Sequence, residues 1–249
     1  MITLSSDFGS PYPAAMKGVI LQQTDTRLVD VSHEFPRQDV RAAAFWLREV
    51  LPYFPPAVHL VVVDPGVGTD RKAIAVRAGD HLLVGPDNGV LLPVARRLAA
   101  DFSVFELDAG RPKSTTFHGR DVFAPWAAKL HDVGVESIDD LPGVTRTDAY
   151  VNERFPEPTI TDDGATGEVL VVDDFGNVIT NIPGHVLDGR KMVTVNDQPI
   201  PIGETFAAVG MGAKVVTVGS HENVELAVNQ GRGDEAFALG PGDDVTLSW

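Results

Sequence analysis

A chain of 249 residues with 43% apolar side chains can build one large domain or two ordinary ones, each with a sizeable core. Its formal net charge of -15, from 24 Asp and 11 Glu against 14 Arg and 6 Lys, lacks the basic patches a phosphate backbone requires, so no nucleic-acid partner is expected. Cysteine is absent, which removes disulfides, thiolate metal sites and thiol catalysis together. No apolar run approaches the roughly 18 residues of a membrane span. Met1-Ile2-Thr3-Leu4 enters a strand with no basic segment or cleavage site before it, so a cytoplasmic protein is expected. An Asp-rich, Lys-poor surface also suits high salt, where a Debye length of about 3 Å at 1 M weakens self-repulsion.

The periodicity predicts a strand over 2–4, the loop Ser5-Ser6-Asp7-Phe8-Gly9-Ser10 and a helix over 12–23. A strand over 27–31, a polar connection over 33–39 and an amphipathic helix over 40–51 follow, then a strand over 58–63. Residues 73–76 and 81–84 pair through Gly79-Asp80, Gly85-Pro86-Asp87-Asn88-Gly89 turns into a helix over 90–98, and 104–107 is a strand. Phe117-His118-Gly119-Arg120-Asp121 opens a last helix over 122–131. Strands alternating with helices predict an α/β N-terminal domain over 1–150 with a mostly parallel sheet. Prolines and acidic residues break the periodicity over 151–166, read as a linker. Short strands at 168–172, 178–182, 192–195, 200–202, 214–218, 224–228 and 245–247 then predict a smaller all-β, barrel-like C-terminal domain over 167–249. Asn196-Asp197 has hairpin chemistry.

Val61-Val62-Val63 ends a buried strand, and Asp64-Pro65-Gly66-Val67-Gly68 must turn sharply after it, so Asp64 sits at a strand's carboxyl end. Arg71 closes the loop, which puts an acid and a base at its two mouths; a turn-capping Asp64 and a surface Arg71 would look the same. Gly66-Val67-Gly68 is no phosphate loop, since neither Gly-Lys-Ser/Thr nor a helix start follows. Histidines at 33, 59, 81, 118, 131, 185 and 221 show no helical pair spacing, so no metal site is expected. Arg232-Gly233-Asp234 reads as an exposed turn. The remaining polar set is Asp7, Asp64, Arg71, His118, Asp173-Asp174-Phe175-Gly176-Asn177 and Ser220. Singly, Asp7 can be a helix cap, His118 a loop histidine and Asp-Phe-Gly-Asn a turn. Together, carboxylates suit ribose hydroxyls and an ammonium group, Phe can cover a heterocycle, and Asp, Arg and His can position water.

Ser-Asp-Phe-Gly, Asp-Pro-Gly-Val-Gly-Thr-Asp-Arg, Gly-Pro-Asp-Asn-Gly, Phe-His-Gly-Arg-Asp-Val-Phe-Ala-Pro and Asp-Asp-Phe-Gly-Asn-Val-Ile-Thr-Asn-Ile occur in this order along the whole chain. The combination resembles the S-adenosyl-L-methionine hydroxide adenosyltransferases, the hydrolase branch of the superfamily that includes the fluorinase and chlorinase. The resemblance implies an α/β domain followed by a β-barrel-like domain, a homotrimer with sites between subunits, and S-adenosylmethionine as substrate with no cofactor and no metal. It implies in-line attack of water or hydroxide on the 5′-carbon, releasing adenosine and methionine. Asp64, Arg71 and His118 match its catalytic set, Asp7 its ribose-binding carboxylate, and Asp173, Phe175, Asn177, Phe206, Ser220 and Glu225 its adenine and methionine shell. Halogenating members have Tyr where Asp64 stands and lack the His. The family often has Ser-Phe-Gly-Tyr or Ser-Arg-Gly-Tyr where this chain has Ser220-His221-Glu222-Asn223. A halogenase of the same superfamily, a non-catalytic sensor of S-adenosylmethionine or adenosine, and a structural trimer with a vestigial pocket are the alternatives.

Overall fold

A computed structural model describes residues 1–249, which divide into two compact units, Met1–Arg154 and Phe155–Trp249. The first unit carries strands β1 (Ile2–Ser6), β2 (Leu28–Ser32), β3 (Val58–Val62), β4 (Ala73–Ala78), β5 (His81–Pro86), β6 (Phe102–Leu107) and β7 (Val144–Arg146) in one sheet of order β2-β1-β3-β5-β4-β6-β7. Its helices are α1 (Tyr12–Leu21), α2 (Val40–Val50), α3 (Leu92–Leu98) and α4 (Ala124–Val133).

The sheet is mixed: four of its seven strands are mutually parallel, in line with the α/β expectation, and an antiparallel edge adds to them. β2, β1, β3 and β5 are parallel, whereas β4, β6 and β7 each run antiparallel to their neighbours. The physical reason lies in Gly79-Asp80: two residues reverse the chain but cannot carry it back across the sheet, so β5 must oppose β4. Ile2, Leu4, Leu60, Val84 and Phe105 share a core with Met16 and Ile20 of α1 and Ala127 and Leu130 of α4. Val61, Ile74, Val76 and Leu83 are buried too, so the central strands read as continuous apolar runs. Asp39 caps α2, accepting from the Ala42 amide at 2.8 Å, a contact worth about 1 kcal/mol. The last helix starts earlier than predicted, because a π-helical turn over Gly119–Phe123 precedes α4.

A fully buried histidine stands among the strands of this core. His59 in β3 shares a hydrogen bond through Nδ1 with the Thr3 hydroxyl (2.8 Å) and another through Nε2 with His81 Nδ1 (2.9 Å). Burial and the neighbouring His81 push its pKa down to about 3, so it is a satisfied neutral core histidine.

The second unit holds β8 (Thr159–Ile160), β9 (Gly164–Val172), β10 (Val178–Pro183), β11 (Met192–Val195), β12 (Gln198–Pro201), β13 (Lys214–Val218), β14 (Asn223–Val228) and β15 (Asp244–Ser248), with one short helix, α5 (Gly233–Phe237). The antiparallel order is β12-β11-β15-β9-β10-β14-β13, and Ile202, just past β12, bridges Val216 of β13, so the sheet comes close to closing into a barrel. Val169, Val178, Val193, Val216, Val224, Leu226 and Val245 fill its interior. Asn196 and Asp197 take φ of 44° and 68°, the double positive-φ turn that joins β11 to β12. β8 and the start of β9 fall within the stretch read as a linker. Arg232-Gly233-Asp234 is no exposed turn: it opens α5, and a Cβ on the buried Gly233 would lie 2.5 Å from the Leu226 carbonyl.

Candidate active site

Strand direction gathers the first set of polar residues. β1, β3 and β5 are parallel, so their carboxyl ends share one edge of the sheet, where ligands bind in open α/β folds. Ser6 pairs with Val62, and Asp7 and Asp64 leave that edge from neighbouring strands. Antiparallel β4 begins at the same edge, Ala73 opposite Pro86, which brings Arg71 back to it. β6 ends there, Leu107 opposite Ala73, and the loop after it delivers His118.

Local turns then fix the side chains. The Asp64 carbonyl accepts from the Val67 amide (3.3 Å), and Gly68 takes φ +82° where a Cβ would lie 2.8 Å from the Thr115 carbonyl. Asn88 of the Gly-Pro-Asp-Asn-Gly turn donates to the Val63 carbonyl (2.8 Å), which pins the residue just before Asp64. The Arg71 guanidinium grips Asp64 with both arms, Nε to Oδ1 at 3.1 Å and Nη2 to Oδ2 at 2.5 Å. Its Nη1 donates to the Lys72 carbonyl (2.7 Å), and its plane lies over Phe123, 5.1 Å from the ring centroid. Both side chains are nearly buried, 10% and 4% exposed, so each charge depends on the other for its compensation. His118 Nδ1 sits 3.3 Å from Nη2 of Arg71, and since a guanidinium only donates, Nδ1 is the acceptor and the proton belongs on Nε2.

Asp7 is buried and accepts from the Gln38 amide at 2.7 Å. Beside it Ser6, His33 and Asp30 form a Ser-His-Asp relay, with Oγ to Nδ1 at 2.8 Å and Nε2 to Oδ1 at 3.0 Å. Ser6 is fully buried, so the relay fastens β1 to the end of β2 and offers no nucleophile. Asp7, Asp64 and His118 line a cavity of about 710 Å³ together with Phe8, Tyr12 and Phe117, a size that suits a nucleoside-like ligand. His118 also lines a second cavity of about 380 Å³, shared with Arg71 and Thr115.

In the second unit Asp173 organises a tight loop, taking the Asn177 amide on Oδ1 (2.8 Å) and the Asn177 side-chain amide on Oδ2 (2.9 Å), with Gly176 at φ +87°. Phe175 stands 80% exposed and Phe206 42%. Ser220 is exposed in the turn between β13 and β14, where the Glu222 amide returns to the Gly219 carbonyl at 3.0 Å and Glu222 takes φ +63°. Glu225 on β14 is buried, its Oε1 has no hydrogen-bond partner, and a Cβ at Gly219 would fall 2.4 Å from its Oε2. Burial first, then the like charge of Asp173, pushes its pKa up to about 7. No group of three or more His, Asp or Glu side chains is placed to hold a metal ion.

Two family domains match this chain: the SAM hydroxide adenosyltransferase N-terminal domain over residues 2–140 and the SAM hydroxide adenosyltransferase C-terminal domain over residues 167–246. The chain belongs to the SAM hydroxide adenosyltransferase family. The (R)-S-adenosyl-L-methionine hydrolase of Salinispora tropica is 43% identical, over 99% of this chain and 97% of that protein. The protein of the same name from Thermus thermophilus is 40% identical, over 97% of each. A crystal structure of an uncharacterized conserved protein from Thermotoga maritima superposes with a TM-score of 0.85 at 32% identity, covering 100% of both chains. The N-terminal family domain spans Asp7, Asp64, Arg71 and His118, and the C-terminal one spans Asp173, Phe175, Asn177, Phe206, Ser220 and Glu225. Sequence reasoning passed over Phe8, Tyr12 and Phe117, which look like helix-start and core residues until the cavity is seen. It also took Asn88 for a turn residue only, although its side chain holds the strand end from which Asp64 projects.

Proposed function

We propose that this protein hydrolyses (R)-S-adenosyl-L-methionine to adenosine and L-methionine. The observation that carries the reading is the Asp64–Arg71–His118 cluster, which turns Asp64 and His118 to the wall of a nucleoside-sized cavity, in a chain whose 43% identical relative is named for that activity. A sulfonium is already a good leaving group, so what the reaction lacks is a positioned nucleophile. Water attacks the 5′-carbon, the C5′–S bond breaks, and its electron pair stays on sulfur as the neutral thioether of methionine. The water proton passes to solvent by way of the cluster.

Free water has a pKa of about 15.7, so hydroxide character must be stabilised where it develops. Arg71 supplies a permanent positive charge, and Asp64, with both oxygens held by Arg71, keeps further lone pairs for a water hydrogen. His118 spends Nδ1 on Arg71, which leaves its Nε2–H to orient the water oxygen. Holding water and carbon in line is worth roughly 7–11 kcal/mol. Asp7 takes the ribose hydroxyls, Phe175 and Phe206 the adenine, and Asp173, Asn177, Ser220 and Glu225 its edge and the methionine headgroup. A buried carboxylate beside the nucleophile position repels halide, which disfavours the halogenase reading.

The assembly that goes with this reading is a homotrimer with sites between subunits. Mixing inactive Asp64→Asn and Asn177→Ala proteins under conditions of subunit exchange then restores part of the activity. Confirmed exchange with no gain places each site within one chain. The reading itself is tested by incubating the protein with S-adenosylmethionine after exhaustive chelation: adenosine and methionine should appear in equal amounts, and loss of turnover would put a metal into the chemistry.

A further inference from the structure

Phe8, Tyr12 and Phe117 meet at the cavity with centroids 5.9 Å (Phe8–Phe117), 6.3 Å (Phe8–Tyr12) and 5.5 Å (Tyr12–Phe117) apart. Their planes cross at 80°, 72° and 89°, so the three rings stand as three walls of a corner. Gly119 makes room for them: a Cβ there would come within 3.3 Å of both Phe8 and Phe117 and 2.9 Å of the Met16 sulfur. Tyr12 nevertheless remains 56% exposed, a large surface for a ring with no structural duty beyond the cluster. One face of Phe117 already carries a cation, the Arg120 guanidinium 5.1 Å from its centroid. These are the features of a π-faced site for positive charge beside the candidate nucleophile residues.

Resting on the proposed hydrolase reading, we infer that Phe8, Tyr12 and Phe117 form an aromatic cage that recognises the sulfonium of the substrate and rejects its uncharged thioether analogue. A sulfonium has no N–H or O–H to donate, so only anions or π faces can distinguish it. A carboxylate set against it would be a second nucleophile next to an electrophilic carbon, whereas a ring face attracts the cation and cannot attack. His118 follows Phe117 directly in the chain and both line the same cavity, so the ring and the cluster face the same bound molecule. Charge on sulfur falls as the C5′–S bond breaks, so the cage holds substrate more tightly than transition state and lets go of the neutral methionine product. Losing it therefore raises KM without lowering kcat.

The test compares KM for S-adenosyl-L-methionine with the inhibition constant of S-adenosyl-L-homocysteine, the thioether without the methyl group or the charge. Tyr12→Leu, at an exposed position, and Phe8→Leu should each raise KM about two- to thirty-fold, with the loss carried by KM, while the thioether weakens by less than about twofold. Tyr12→Phe should keep the discrimination. Equal weakening of both ligands, or of neither, overturns the cage and leaves the hydrolase reading standing. A wild-type protein that does not turn over S-adenosylmethionine overturns both.

Discussion

The two units handle buried charge in opposite ways. Around Asp64 the carboxylate is gripped at both oxygens by Arg71, and Arg71 in turn reaches Lys72 and His118, so the cluster is complete within the folded chain. Around Glu225 the reverse holds: a buried carboxyl has one oxygen without a partner and a second carboxylate, Asp173, acting on it. A satisfied cluster is preorganised and can act on a bound molecule without rearranging, which is what lowers a barrier. An unsatisfied acid is destabilised until a cation arrives, which is what gives affinity. Damage to the first region should therefore fall on turnover, and damage to the second on substrate binding.

The largest effect is expected from the first region. Asp64→Asn and Arg71→Ala each strand a buried partner and should lower kcat on the order of 10²–10⁴-fold with KM within a few-fold. Equal losses in kcat and affinity would move both residues into the binding shell and dissolve the contrast. In the second region, Glu225→Gln should raise KM about tenfold with little change in kcat if Glu225 is, as proposed, the anion offered to the substrate's ammonium group.

The same substitution separates the regions by pH. The folded-state pKa of Glu225 stands above its unfolded value, so the native protein binds the extra proton between about 4.5 and 7. Its contribution is present below pH 4.5 and is lost as pH rises through about 7, an effect that the Glu225→Gln protein cannot show. Denaturant titrations of the two proteins at pH 5 and pH 8 measure it; parallel curves would mean that Glu225 is already paired. The smallest effect concerns the surface of both units: with a net charge of -15, the melting temperature should rise by a few degrees from low to molar potassium chloride, and a flat response would remove the high-salt expectation.

Much of this contrast was legible in the sequence where signals are local. Val61-Val62-Val63 followed by Asp-Pro-Gly-Val-Gly gives Asp64 its strand-end position, and Asn196-Asp197 gives the β11–β12 hairpin, because each depends on only a few adjacent residues. The pairing of Asp64 with Arg71 spans a single loop. His118, 47 residues further on, was legible only as a candidate polar residue; it joins the pair through the direction of β4 and β6, which no local pattern encodes, and resemblance supplied the grouping. The hairpin at Gly79-Asp80 required one antiparallel pair beside the parallel strands, and the structure has it. β7 and β8, three and two residues long, are too short to show an alternation. The aromatic corner was hidden because Phe8, Tyr12 and Phe117 carry ordinary core chemistry, and only their common cavity separates them from core.

The central claim, that this chain places water on the 5′-carbon of a sulfonium nucleoside, is tested most directly by turnover of S-adenosylmethionine in ¹⁸O-labelled water with mass analysis of both products. One labelled oxygen per adenosine, located at the 5′-hydroxyl, with unlabelled methionine, is the predicted result. Label in methionine, or free adenine with a labelled ribose fragment, would show that a different bond is broken and would contradict the account.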